Sequence, residues 1–420
     1  MTYHQFHGFT FLNMWYLVLL LFVLTKSNND ISSKMENSIR EIDAREIHSW
    51  RREIQSFDAP LIIRNAVALD DADWTPEEIS RRHQGCDDLI VKHQMHSPVF
   101  SYYNKRPLAE ENVQGTPSRP SFLVRNNVSM KEFARLESIR YHYSSVPIEG
   151  LPHSLQQEIE ELHPVEKKRE LESIHLWMSS PGVIAYPHYD TSDNIFLQLR
   201  GKKRFYLASP DITIRDLDLY PALHPRYRQI QDLERFETMM AVTTLHPGDL
   251  LVLPAFFLHR VEALDASTSI NLWSDSETFN ISETLFQSTL PFESEWNEPE
   301  IRSSAVVTFL REISALLYGE TCSKNDVFMF LRERYESAYT DVDLEMWKHC
   351  VVDAFDDEVG KNIDYTYIKK RAKDVHVDIL LSMSSDSVRF LYFANLVEFV
   401  VLWAVRGEAR YVRSFLSVCF

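Results

Sequence analysis

Two histidines and an aspartate constrain this chain more than any other feature: His188 and Asp190 in the run Ala185-Tyr186-Pro187-His188-Tyr189-Asp190, and His259 placed 71 residues after His188. Two imidazoles and one carboxylate are the donor set of a mononuclear iron(II) site with open coordination positions. In an extended strand, residues two apart share a face, so His188 and Asp190 can grip one ion from one side. His259 must then arrive from another strand. The middle of the chain is therefore required to be β structure that folds residue 259 back onto residue 188.

The surrounding sequence has the texture this demands. From Ile174 to Trp273, short strand candidates alternate with turn signals at Pro181-Gly182, Arg200-Gly201-Lys202-Lys203 and His246-Pro247-Gly248-Asp249, which indicates an antiparallel sandwich or barrel. Before this core the reading is mixed. Ile39, Ile42, Ile47, Trp50 and Ile54 recur at helical spacing and predict an amphipathic helix over 36–57. Strands are expected at 59–64, 89–92, 99–103 and 139–143, and helices at two capping boxes, Thr75-Pro76-Glu77-Glu78 and Ser129-Met130-Lys131-Glu132. After about residue 299 the pattern is helical to the end. Its apolar stretch Val388 to Val405 contains Asn395 and Glu398, which fits a buried helix or a homodimer contact better than a membrane span. The expected architecture is mainly β: a jelly-roll core near 174–273 inside a domain over 36–280, with mixed α/β additions before it and a helical region over 299–420.

Composition narrows the partners. With 61 acidic against 44 basic residues the formal net charge is −17, which repels nucleic acid and attracts a basic protein or peptide. The four cysteines, Cys86, Cys322, Cys350 and Cys419, show no zinc-like spacing; Cys322 and Cys350 flank one expected helical hairpin and are either disulfide partners or buried thiols. Residues 9–24 form an apolar run followed by Lys26 and a polar stretch, so residues 1–26 are expected to be a signal peptide or signal anchor leading into the endoplasmic reticulum or secretory pathway. Translation from Met35 is the alternative, giving a cytoplasmic or nuclear protein.

Around the donor triad the order is specific: a strand ending at His188, Asn194, a strand-turn-strand carrying Lys203, a turn feeding the strand before His259, then Asn271 and Trp273. In these features the chain resembles the JmjC-type hydroxylases. These are cupin-fold (double-stranded β-helix) iron(II)/2-oxoglutarate dioxygenases that include asparaginyl, arginyl and lysyl protein hydroxylases and a wybutosine-pathway tRNA hydroxylase. The resemblance spans roughly Ala59 to Trp273 and is strongest over 181–204 and 247–273. It implies that His188, Asp190 and His259 hold the iron and form the catalytic centre. It further implies that Lys203 pairs with the distal carboxylate of 2-oxoglutarate, that Asn194 and Asn271 line the cosubstrate and oxygen side, and that Tyr141 hydrogen-bonds the same carboxylate. The chain departs from the pattern at Ala185, where many relatives carry a hydroxyl that also contacts 2-oxoglutarate.

Each of these residues also has a structural reading. His188 and Asp190 can be a surface hydrogen-bonded pair, His259 a satisfied core histidine, and Lys203 a solvated turn residue. Asn194 and Asn271 suit turn or strand hydrogen bonds, and Tyr141 an aromatic packed on the sheet. His142, His175, Phe205 and Trp273 are read as structural. The expected function is hydroxylation of a protein side chain, using molecular oxygen and 2-oxoglutarate and releasing succinate and CO2. The alternatives are a weak or inactive binding module, a tRNA or small-molecule hydroxylase, and a different metal cupin.

Overall fold

The computed structural model describes residues between 39 and 274, apart from 47–58, 70–73, 103–121, 137–138, 163–170, 211–218, 221–225, 227, 232 and 238–239. The expected leader over 1–26, the helical region over 299–420 with its dimer contact, and the Cys322/Cys350 pair lie outside the described residues. Among the described residues no helix is long and apolar enough to cross a membrane.

Two sheets carry the fold. The larger takes in β1 (Arg40–Asp43), β2 (Leu61–Arg64), β3 (Leu89–Gln94), β5 (Leu123–Val128), β6 (Tyr141–Pro147), β7 (Leu171–Ser179), β9 (Asp193–Arg200), β12 (Leu250–Leu253) and β14 (Ser267–Ser274). Its order is β1-β2-β12-β9-β14-β7-β6-β3-β5. The smaller sheet runs β11-β10-β13-β8-β4, from β4 (Val99–Phe100), β8 (Ile184–His188), β10 (Lys203–Ala208), β11 (Ala241–Leu245) and β13 (Leu258–Ala263). Pairing is antiparallel except for β1 with β2 and β4 with β8. The sheets meet through Ile62, Phe196 and Leu251 on one side and Phe205, Leu207 and Leu245 on the other.

Period-2 alternation gives the larger sheet two different faces. Ile174, Leu176, Met178, Ile195, Leu197, Ile270 and Leu272 turn outward into one apolar cluster. Helices α1 (Pro76–Arg82), α2 (Met130–Phe133) and α3 (His153–Leu162) cover it with Ile79, Met130, Phe133, Leu155 and Ile159. Each such side chain contributes about 1.5–3 kcal/mol on burial, so this outer face holds the sheet together. The residues between them, His175, Trp177, Asn194, Ser269, Asn271 and Trp273, point the other way, into the lumen between the sheets.

Both capping boxes form as the sequence predicts at their N-caps: the Thr75 hydroxyl accepts the Glu78 N–H at 3.1 Å and the Ser129 hydroxyl accepts that of Glu132 at 3.1 Å. The helix expected over 36–57 is overturned at its start. Arg40–Asp43 is a strand whose backbone pairs with β2, with Ile42 buried in the apolar cluster and Glu41 accepting from Arg64 at 2.8 Å. An Ile39/Ile42 spacing fits a helix, but an open sheet edge offers four residues a ladder that the helix period does not reveal.

The turns are equally determined. Gly248 has φ 86 and a Cβ there would sit 2.6 Å from the Val67 carbonyl oxygen; at Gly201, φ 67, the distance to the Ala266 carbonyl is 2.4 Å. Asp249, next in the turn, accepts from Arg64 Nη1 at 2.7 Å, from the Asn65 N–H at 3.1 Å and from the His246 N–H at 3.0 Å, tying the start of β12 to the end of β2. Asp249→Ala removes the acceptor of the Asn65 and His246 N–H groups and one of the acceptors of Arg64, which keeps Thr244 and Glu41, and a loss of about 2–4 kcal/mol is expected as a lower urea midpoint with an unchanged m-value.

Candidate metal centre

The smaller sheet creates the centre by register. His188, the last residue of β8, lies directly across from His259 on β13, and their ring centroids are 4.3 Å apart. Asp190 follows two residues past the strand end, with its carboxylate Oδ2 3.8 Å from His259 Nε2. The donor atoms of His188, Asp190 and His259 all lie within 4.8 Å of one another, so the residues that the sequence nominated do come together. Tyr189 between them turns away and packs on Phe256, at 5.6 Å between centroids. Phe256 in turn donates its backbone N–H to the Asp190 carbonyl at 2.7 Å, and holds a left-handed φ of 67 in the corner that leads to His259.

Hydrogen bonding settles which ring nitrogens face the centre. His188 Nδ1 is 2.7 Å from the Tyr186 carbonyl oxygen and His259 Nδ1 is 3.0 Å from that of Phe257. A carbonyl only accepts, so each Nδ1 carries the proton and each Nε2 presents a lone pair to the space beside Asp190. Burial, together with the His259 charge, pushes the His188 imidazolium down to about 4. Burial alone would raise the Asp190 carboxyl, but the charges of His188, His259 and Arg228 and the Trp273 indole N–H hold it below its usual range. A neutral His188 and an ionised Asp190 therefore stand side by side at neutral pH, the protonation states in which such groups bind a divalent ion. The donor set fits iron(II), and the Asp190 side chain keeps 26% of its surface open.

Deeper in the lumen Lys203 is buried, at 6% exposure, while its neighbour Lys202 is exposed. Its ammonium donates to the Ser269 hydroxyl at 2.8 Å and lies over the Phe196 ring at 4.9 Å. Among the described residues no carboxylate pairs with it, and burial pushes its pKa down to about 7. It is not a solvated turn residue. Asn194 and Asn271 are both buried and joined to each other, Asn271 Nδ2 donating to Asn194 Oδ1 at 3.2 Å, and Asn271 Oδ1 has no partner among the described residues. Tyr141 packs its ring against Gly182 and under the Arg140 guanidinium, at 5.0 Å, beside the apolar cluster of Phe100, Phe122, Val183 and Ala263. Ala185 lies on β8 across from Val261 and beside Phe100.

The structure adds two residues to the centre. Trp273, read from sequence as core, donates its indole N–H to Asp190 Oδ2 at 3.3 Å. Its place two residues beyond Asn271 on the same strand face was the available signal. Arg228 acts electrostatically on both His188 and Asp190, and its carbonyl accepts the Tyr189 N–H at 3.1 Å. It comes from an irregular segment with no periodicity to read. His142 and His175 are structural as expected: His142 Nδ1 meets the Ile139 carbonyl at 3.0 Å and His175 Nδ1 the Ser145 hydroxyl at 2.9 Å.

The family model described as a cupin-like domain matches residues 48–279, more than half of the chain. The chain belongs to this cupin-like family, the JmjC-type group of 2-oxoglutarate-dependent oxygenases. Among curated relatives, it is 34% identical over 112 residues to tRNA wybutosine-synthesizing protein 5 of Danio rerio, covering 23% of this chain and 31% of that protein. It is 34% identical over 117 residues to HSPB1-associated protein 1 of Bos taurus, covering 24% of each. To human ribosomal oxygenase 1 it is 31% identical over 105 residues, covering 25% of this chain and 15% of that protein. The match thus spans about a third or less of these relatives. Among solved structures, Escherichia coli ycfD aligns with TM-score 0.35 and 15% identity, covering 60% of each chain.

Two outcomes follow. Trp273→Phe keeps the ring and removes the donor to Asp190, and is expected to weaken Mn(II) binding about 10–100-fold in calorimetry. Lys203→Met removes a desolvated charge and is expected to raise the melting temperature by a few degrees near pH 7. Between about 7 and the ordinary 10.5 the unfolded chain holds a proton on Lys203 that the folded chain has released. Wild-type stability therefore gains a rising contribution across that window that the variant lacks, checked by unfolding at several pH values.

Proposed function

We propose that the chain is an iron(II)- and 2-oxoglutarate-dependent dioxygenase that hydroxylates a side chain of a basic protein or peptide. The observation that supports this most directly is the His188, Asp190 and His259 cluster, with donor atoms within 4.8 Å, opening on the same lumen as a buried lysine that has no carboxylate partner among the described residues. When bound, iron(II) and 2-oxoglutarate supply oxygen activation: one oxygen atom enters the substrate C–H bond, the other enters succinate, and CO2 leaves.

The protein's own contributions are positional. His188 and His259 offer their Nε2 atoms because backbone carbonyls accept from their Nδ1–H groups, and Asp190 offers a carboxylate kept ionised by the surrounding positive charge. Lys203 takes the distal carboxylate, regaining a full positive charge as an anion arrives in its dry pocket. Asn194 and Asn271 present amides along the cosubstrate side, Asn271 with an oxygen still to be satisfied. Tyr141 forms part of the wall. The partly open side of Asp190 is where substrate approaches.

The net charge of −17 favours a basic protein over a polyanion. The relative named for wybutosine synthesis supplies the second reading, a tRNA substrate. Incubation with iron(II), ascorbate and 2-oxoglutarate is expected to yield succinate, enhanced by basic peptides that gain the mass of one oxygen atom, and His188→Ala or Asp190→Ala is expected to abolish it. Enhancement by tRNA instead of peptide selects the second reading. The absence of both turnover and calorimetric binding of 2-oxoglutarate by the Mn(II)-loaded protein overturns the enzyme assignment.

A further inference from the structure

Trp177 carries an indole N–H that is buried and has no hydrogen-bond partner among the described residues. A stranded donor of this kind is costly to bury, so its surroundings indicate what it is kept for. On β14 the residue directly across from Trp177 is Ser269, whose hydroxyl is occupied by the Lys203 ammonium at 2.8 Å. On β6 the residue across is Ser145, whose hydroxyl is occupied by His175 Nδ1 at 2.9 Å. Both cross-strand hydroxyls are thus committed elsewhere. The indole ring is also fixed: it stacks on Tyr143 at 5.7 Å and 15° between planes, and leans on Trp273, the Asp190 partner, at 6.5 Å. Trp177 therefore stands on the lumen wall between the lysine and the metal ligands.

Resting on the function proposed above, we infer that the Trp177 Nε1–H donates to the distal carboxylate of 2-oxoglutarate beside Lys203, supplying the hydrogen bond that residue 185, an alanine, has no hydroxyl to make. A carboxylate has two oxygens and takes more than one donor, and a charge-assisted N–H bond in a dry lumen is among the stronger ones available. The indole also suits the site sterically, because its rigid ring reaches the lumen from β7, on the opposite sheet from Ala185.

The test is calorimetry of 2-oxoglutarate on the Mn(II)-loaded full chain without oxygen, comparing wild type with Trp177→Phe, which keeps the stacking ring and deletes only the donor. Dissociation constants are expected to rise at least about fivefold for 2-oxoglutarate and to stay unchanged for Mn(II). A smaller rise, or an equal loss of Mn(II) affinity, overturns this assignment while leaving the proposed function standing. A wild type that does not bind 2-oxoglutarate overturns both. If Trp177→Phe does not fold, the indole ¹H–¹⁵N signal of Trp177 is followed in Zn(II)-loaded wild type, assigned through its contacts with Tyr143: a downfield shift on adding 2-oxoglutarate supports the inference, and an unmoved signal overturns it.

Discussion

The cross-strand pairing of His188 with His259 is the constraint from which the rest of the structure follows. It sets two imidazoles beside each other, their planes 50° apart, in a lumen lined by buried residues. Each ring donates its Nδ1–H to a carbonyl two residues earlier in the chain, which turns the Nε2 atoms toward a carboxylate brought in beside both. The register shift of β13 between His259 and Val261 belongs to the same arrangement, since a bulge re-aims a side chain where a regular ladder would not. β9 and β12 then close the lumen and hold the corner that carries Asp190.

Such a polar interior is sustained by the sheet's other face. Along β7, β9 and β14 the alternate residues Ile174, Leu176, Met178, Ile195, Leu197, Ile270 and Leu272 are buried under α1, α2 and α3, so much hydrophobic stabilisation comes from outside the lumen. The inward positions are then free to hold Ser269, Asn271, Asn194 and Trp273 despite the desolvation this imposes on them. A buried lysine with a serine hydroxyl as its one hydrogen-bond partner among the described residues is sustained by such a scaffold, because that single bond does not replace its hydration.

Period and turn chemistry made much of this legible. His188, Asp190 and His259 could be nominated because two-residue spacing means one thing in a strand, and Thr75, Ser129, Gly201 and Gly248 mark their caps and turns by residue type alone. The strand at Arg40–Asp43 was not legible, since four residues at a sheet edge take their conformation from β2 and leave no period of their own. Nor were Trp273 and Trp177 assigned to the centre. An indole on a buried strand looks like packing until its N–H is traced to Asp190, or to no acceptor among the described residues. Lys203 was identified by order, but its burial is a tertiary fact that a run of Gly-Lys-Lys conceals.

Phe256 gives the centre its remaining character. A bulky residue at a left-handed φ stores about 1–3 kcal/mol, and here that strain lies in the short corner between the loop holding Asp190 and the strand holding His259. It is held there by the bond to the Asp190 carbonyl and by packing against Tyr189, neither of which involves an ion. The donors are thus tied to one another by backbone and aromatic contacts as well as by any ion they share. An ion held by the triad adds to the stability of the fold by linkage without being its sole support, in contrast to small metal-dependent domains whose fold and ion are lost together.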